Sequence, residues 1–209
     1  MITQASLNDF LDRLASSDPT PGGGGAAALM GAMGAALVSM VCNVSIGKKE
    51  CEAIEPVLRA VLARSEALRP RVAAMAAEDE AAFGGLMAAY KLPKASERDK
   101  VARSAAIQES LRRATLVPLE CARACAEVIA LARRAGEHGY QHVISDAGVA
   151  VSAAHAALRS AGLNVLINAP SIKDRDFAEA SVLEVKKLME SSGVESEEVY
   201  QLVRRRLGG

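Results

Sequence analysis

The sequence predicts an all-α protein: a single domain over residues 1–209, built as a bundle of long antiparallel helices that dimerises through helices. Three observations carry the fold. Apolar residues recur at three- and four-residue spacing through most of the chain, which is the helical period. Half of the residues are hydrophobic, yet only 3% are aromatic and none is Trp. A core made of Ala, Leu, Val and Met suits closely packed helices. The one ambiguous apolar run, Gly162 to Pro170, has no second strand to pair with and reads as a helical continuation. No repeat, linker or low-complexity tract divides the chain, and 209 residues suffice for one sizeable core.

The elements follow in order. Ser6 caps a first helix, with Asp9 three residues on and an apolar stripe of Leu7, Phe10, Leu11 and Leu14. Pro19-Thr20-Pro21 and four glycines, Gly22 to Gly25, then lead into a run with no charge between Asp18 and Lys48. A helix so uniformly uncharged is expected to be buried all round. Gly31, Gly34 and Ala35 leave one face nearly flat, which suggests burial against another subunit. From Glu50 to Tyr90 the pattern is helical again, and Pro70 is expected to kink or break it. Unbroken, that helix would measure roughly 60 Å, so it must fold back at Pro70 or reach onto a partner. Ser96 caps the next helix, which Pro118 should bend and Gly136 can stop. Ser145-Asp146 is read as the cap of a helix from Ala147 to Ser160. Asp174 to Ser191 and Ser196 to Leu207 close the chain as two helices, with Arg204-Arg205-Arg206 as a solvated tail.

Totals exclude several classes. Twenty-five basic residues balance 25 acidic ones, so there is no electrostatic footprint for nucleic acid or acidic lipid. The uncharged run is long enough to span a membrane, but it is mostly Ala and Gly and lacks aromatic anchors. It starts too late, behind Asp9, Asp12 and Asp18, to be a signal peptide. Cys42, Cys51, Cys121 and Cys125 fall in helix-like stretches and fit a reduced, cytoplasmic protein. Cys121 and Cys125 are four apart without a nearby histidine, and His138 and His142 lack a third ligand, so no metal is expected.

Glycines directly before a helix let backbone N–H groups face a phosphate or carboxylate, although a flexible approach turn would look the same. The run matches neither common nucleotide-binding glycine motif.

The combination is more specific than its parts. F-L-D-x-L-A-S-x-x-P-T-P-G-G-G, then A-A-A-L-x-G-A-x-G-A-A-L and I-G-K-K, resembles the cyclodeaminase domain of formiminotransferase-cyclodeaminase and its stand-alone relatives, the bacterial methenyltetrahydrofolate cyclohydrolases. Glu78-Asp79, Tyr90-Lys91-Leu92-Pro93-Lys94, Val117-Pro118-Leu119, Ser145-Asp146-Ala147-Gly148 and Asn164 to Asn168 extend the resemblance in order over nearly the whole chain. It implies an all-helical homodimer with a tetrahydrofolate derivative as substrate, held in a cleft lined by the glycine turn at Pro21, Gly22, Gly23 and Gly24. The chain departs from the family pattern at Gly139-Tyr140-Gln141-His142, where two asparagines are usual, and at Glu50-Cys51, where Lys-Tyr is usual. Both departures bear on substrate preference more than on fold.

Both family reactions pass through a tetrahedral carbon bonded to nitrogen. In the cyclohydrolase, water attacks the methenyl carbon bridging N5 and N10; in the cyclodeaminase, N10 attacks a formimino carbon and ammonia leaves. Each needs a proton carrier and a polar frame for the pterin. Asp79, set among alanines with Glu78 and Glu80 pointing elsewhere, is the first candidate; a solvated acidic face is the plain alternative. Lys48 can polarise a carbonyl, or simply cap a helix C-terminus. Asp146 and His142 stand next as proton acceptors, and Ser145 lies beside Asp146. Asn164 and Asn168, four apart in an apolar run, need partners from backbone or pterin. From another class, a non-catalytic helical dimer that binds a small anion fits the same residues.

Overall fold

The structure is a computed structural model that describes residues 6–209. Among the described residues it contains six α-helices and no strand. They are α1 (Leu7–Ala15), α2 (Gly23–Ser45), α3 (Glu55–Tyr90), α4 (Glu97–His138), α5 (Ile144–Asn168) and α6 (Arg175–Arg206), with short 3-10 turns in the α2–α3, α4–α5 and α5–α6 connections. The uncharged run becomes α2 and forms the hub, packed against α3, α4 and α5. Helix α4 also meets α3, α5 and α6, and α5 meets α6.

The local signals at helix starts hold. Ser6 with Asp9 and Ser96 with Asp99 form two complete capping boxes, side chain to backbone in both directions. Asp174 caps α6 by accepting from the Phe177 N–H. Ion pairs record the helix directions. Arg64–Glu127 and Arg71–Glu120 join α3 to an antiparallel α4, whereas Arg123–Glu184 and Arg133–Glu195 join α4 to a parallel α6. Exposed pairs of this kind contribute about 0–1 kcal/mol each, so the core carries the stability.

Several expectations are corrected. Pro70 does not break α3, and α4 runs on through Pro118. Pro70 is exposed, so the Glu66 carbonyl it orphans can meet water; Pro118 is buried, and the carbonyl it orphans, on Ala114, accepts a hydrogen bond from Asn168 Nδ2 at 2.9 Å. The long α3 therefore neither folds back nor has to seek a partner: it lies along α4. The flat face of α2 is used within the chain, where Gly31 lies against Cys125 and Val72, and Gly34 against Ala150 and Ala154. In turn α2 is not buried all round, because Leu29, Met33, Leu37, Met40 and Val44 form a partly exposed stripe, with Met33 55% exposed. Ser145 and Asp146 do not cap α5; the turn Gln141–Val143 feeds straight into a helix that starts at Ile144. The last two helices are one, α6. Gly193 within it costs about 1 kcal/mol relative to Ala, offset by packing on α4 and α5 along its length. At its end Arg206 is no free tail: its guanidinium donates to the carbonyls of Gly136, Glu137 and Gly139, closing the C-terminus of α4.

Helix α2 and the segment Gln141–Ser171 are long and apolar enough to cross a membrane. Both are integral to the bundle, with α2 enclosed on three sides by α3, α4 and α5.

Candidate active site

The N-terminus of α2 stops short of the ends of its neighbours. Helices α3, α4 and α5 continue past it, and a pocket of about 290 Å³ opens in the gap. Its floor and walls come from Gly22, Gly23 and Gly24, from Asp79, Phe83 and Leu86 of α3, from Ala114 of α4, and from Asn164, Ile167 and Asn168 of α5. Pro19 and Thr20 close one side; Pro21 is buried beneath the turn and packs toward Gly25 rather than facing the cavity.

Chemistry concentrates at Asp79. Helix α2 has no side-chain cap of its own at Gly22. The half-buried Asp79 carboxylate lies across this bare end, where the Gly25 N–H stabilises its charged form. Burial works against the charge and is the larger effect, with nearby Glu80 adding to it, so the Asp79 pKa is raised above the ordinary carboxylate value. A carboxylate with raised pKa can hold and return a proton closer to neutral pH. Gly24 makes this seat possible. A Cβ there would stand under 3.0 Å from Asp79 Cγ, Oδ1 and Oδ2, which real Cβ atoms do not tolerate. Positive φ has no part in it: among the described glycines only Gly47 and Gly208 have it.

The flanking acids point elsewhere, as expected, but Glu80 is not idle. It accepts from Arg13 at 2.6 Å and from Thr20 at 3.3 Å, pinning α1 and the proline turn onto α3. Glu78 pairs with Arg71. Neither interaction was legible from sequence spacing, because both partners lie on other turns or elements.

The two asparagines are oriented by backbone. Asn164 donates to the Ser160 carbonyl at 3.0 Å and Asn168 to the Ala114 carbonyl at 2.9 Å. One N–H of each amide is thereby used, which fixes the side chains and leaves a second N–H and the Oδ1 of each for the pocket. Along with free N–H groups at the start of α2, the pocket offers both donors and acceptors against an apolar wall of Phe83, Leu86 and Ile167. A cleft of similar volume between α5 and α6, around His155 and Glu197, lacks such a seat for a charged group.

The remaining sequence candidates lie at the other end of α2. Lys48 follows its C-terminus, exposed, with Nζ 5.3 Å from the centre of the Tyr140 ring. The Tyr140 N–H is bound to Ser45 Oγ at 2.7 Å. Ser145 and Asp146 sit in the first turn of α5. Helix α2 has 23 residues, so roughly 34 Å separates the two groups. One chain thus brings together Gly22, Gly23, Gly24, Asp79, Asn164 and Asn168, and does not bring Lys48, Ser145 or Asp146 to them.

Comparison with known proteins places this architecture. The Formiminotransferase-cyclodeaminase family model matches residues 6–187. A methenyltetrahydrofolate cyclohydrolase of Methylorubrum extorquens is 52% identical over 207 residues, covering 99% of this chain and 100% of that protein. The formimidoyltransferase-cyclodeaminase of Rattus norvegicus is 29% identical over 191 residues, and this chain spans only 35% of its length. The crystal structure of formiminotetrahydrofolate cyclodeaminase from Thermotoga maritima superposes with a TM-score of 0.84 at 31% identity, covering 100% of this chain and 98% of that one. With most of its length matched by the family model and its whole fold shared with a solved relative, the chain belongs to the formiminotransferase-cyclodeaminase family.

Proposed function

We propose that this chain is a methenyltetrahydrofolate cyclohydrolase, an enzyme that hydrolyses 5,10-methenyltetrahydrofolate to 10-formyltetrahydrofolate in the pocket above α2. The observation that carries the mechanism is the Asp79 carboxylate seated on the bare N-terminus of α2 against Gly24. The substrate's methenyl bridge is cationic, shared between N5 and N10, and the Asp79 carboxylate in the pocket suits it. Asp79 takes a proton from the attacking water as the C–O bond forms. The tetrahedral carbon then breaks its bond to N5 as the proton held by Asp79 passes to N5, and its hydroxyl releases the second water proton to solvent, leaving the formyl carbonyl on N10. Asn164 Oδ1 and Asn168 Oδ1 accept from the pterin's ring N–H and amino groups, and the N–H groups of Gly23 and Gly24 face its carbonyl. The cavity is sized for the bicyclic ring, so the aminobenzoyl-glutamate tail extends outside it. The 52% identity to a protein named as the cyclohydrolase supports this reading over ammonia release.

The likeness to a solved cyclodeaminase keeps one competing substrate in view. The test is loss of methenyltetrahydrofolate absorbance with purified protein, set beside ammonia release from formiminotetrahydrofolate. Turnover of the second substrate alone would overturn the assignment. The protein acts, in this reading, as a homodimer in the cytoplasm; four free buried thiols are in keeping with a reducing compartment.

A further inference from the structure

We propose that Glu80 is a positioning residue for the reaction: one of its carboxylate oxygens latches the Pro19–Thr20 lip against the pocket, with Arg13 of α1 as counter-ion, and this closure keeps Asp79 out of bulk water. The inference rests on the folate reading for its turnover assay and on contacts within the chain for its geometry.

Little else holds the lip. Pro19 and Thr20 line the pocket, and the chain reaches them from α1. With nine residues, α1 is too short to be a stable helix alone. Phe10 is its one buried residue, lying under Gly25 at the start of α2, while Leu7 and Leu11 are exposed. Arg13 shares the face of Phe10, one turn on, and its guanidinium donates to Glu80 Oε1 at 2.6 Å. The Thr20 hydroxyl donates to the same oxygen at 3.3 Å. Between them the chain folds on itself, with Ser16 Oγ donating to the Arg13 carbonyl and accepting from the Asp18 N–H. Adjacent residues of a helix diverge by about 100°, so Asp79 faces the start of α2 while Glu80 faces α1. A single oxygen on α3 thus ties together the end of α1, the lip and the helix that carries Asp79.

Two effects reach Asp79 through this latch, with opposite signs. Burial is the main cause that raises its pKa, and the lip is part of what buries it. The Glu80 charge raises it further, and Arg13 offsets that charge. Among the described residues no other charge faces Asp79. Glu78 turns to Arg71, α2 carries no charge, and α4 and α5 line the pocket with uncharged side chains. Removal of Arg13 with the lip still in place would expose Asp79 to an uncompensated Glu80 and push its pKa up. Removal of Arg13 with release of the lip admits water to Asp79 and brings the pKa down, because burial is the dominant cause. The direction of the shift separates a latch from a mere neighbouring charge.

Methenyltetrahydrofolate hydrolysis followed across pH tests this. Arg13→Met and Glu80→Ala should each lower kcat/KM by about tenfold or more, the worth of one hydrogen bond to a charged group. Much of the loss should be in KM, since a wall of the pocket is released. In Arg13→Met the acidic limb should move to lower pH. Arg13→Lys keeps a charged donor for the one oxygen and should stay within about threefold of wild type. Thr20→Val should cost activity by itself but add nothing to Glu80→Ala, because both act through the same contact. Arg71→Met breaks ion pairs of similar exposure that face α4, and as the control it should leave the rate unchanged. A loss of less than about threefold in Glu80→Ala, or an acidic limb that moves up in Arg13→Met, overturns the proposal. A second readout needs no turnover: amide hydrogen exchange over residues 19–28 should be about tenfold faster in Glu80→Ala and in Thr20→Val than in wild type. Unchanged exchange overturns the latch, whereas faster exchange in a protein that turns over no folate would sink the functional reading alone.

Discussion

Gly24→Ala isolates the seat of the Asp79 carboxylate from the carboxylate itself. The added methyl would stand under 3.0 Å from three atoms of the Asp79 head group, where ordinary contact is 3.4–4 Å. Asp79 must then retreat by about 1 Å, and a displacement of that size in a catalytic group costs about 10²-fold. The expected kcat is therefore about a hundredth of wild type. The fold should not suffer, since Ala is favoured over Gly in a helix by up to about 1 kcal/mol. Methenyltetrahydrofolate absorbance gives the rate, and circular dichroism with a thermal melt checks the fold. Gly85→Ala on α3, where a Cβ meets nothing within 4 Å, is the control: it should raise Tm by a few degrees and leave the rate alone. A well-folded Gly24→Ala enzyme keeping more than about a third of wild-type kcat would refute the reasoning, because the rate would then be indifferent to the seat.

Other expectations follow the same geometry. Asp79→Asn should lower kcat by about 10²–10⁴ and remove the acidic limb of the pH–rate profile, a limb that wild type should show above the usual carboxylate range. Because the folded-state pKa of Asp79 is raised, its contribution to stability is present below the unfolded value and is lost as pH rises through the folded one; Asp79→Asn should thus melt no lower than wild type at pH 7, with any gain disappearing near pH 3. Asn168→Ala leaves the Ala114 carbonyl unpaired and should cost about 1–3 kcal/mol in urea melts. That cost should shrink in a Pro118→Ala background, where residue 118 regains an N–H. Arg206→Ala removes the donor to three carbonyls at the end of α4 and should cost about 1.5–3 kcal/mol, seen as a Tm drop of several degrees.

Legibility differed with distance along the chain. The capping boxes at Ser6 and Ser96 span three residues, and both form as read. The helical reading of Gly162 to Pro170 rested on the absence of a strand partner, and α5 does run on to Asn168. Asp79 and the glycine run were paired as site candidates, and the structure brings them into contact through Gly24 rather than through Gly23, which faces open space. What failed was any inference that took one residue as decisive. Pro70 was read as a kink or break and Pro118 as a bend, but whether a helix runs on depends on what meets the orphaned carbonyl: water at Glu66, Asn168 at Ala114. Gly193 and its serine neighbours were read as the end of a helix, yet α4 and α5 hold α6 continuous across them.

The split of the site candidates has a different origin. Lys48 and Asp79 are 31 positions apart in sequence, yet the hub helix between them places them at opposite ends of the bundle. A motif list carries no register, so residues at the two ends of a long helix look the same as residues that meet. The helix pattern does hold the distinction in part. A run with no charge from Asp18 to Lys48 is too long to be covered by three neighbours, and the stripe through Met33 is the remainder. The same arithmetic applies to α5, whose small residues are spent on α2 while Val149, Leu163 and Ile167 are left facing out. Burying such a stripe is worth about 25 cal/mol per Å² of apolar area. The apolar faces of α2 and α5 that read as core are therefore surface in part, because the neighbours that cover a helix in this bundle reach only some of its sides.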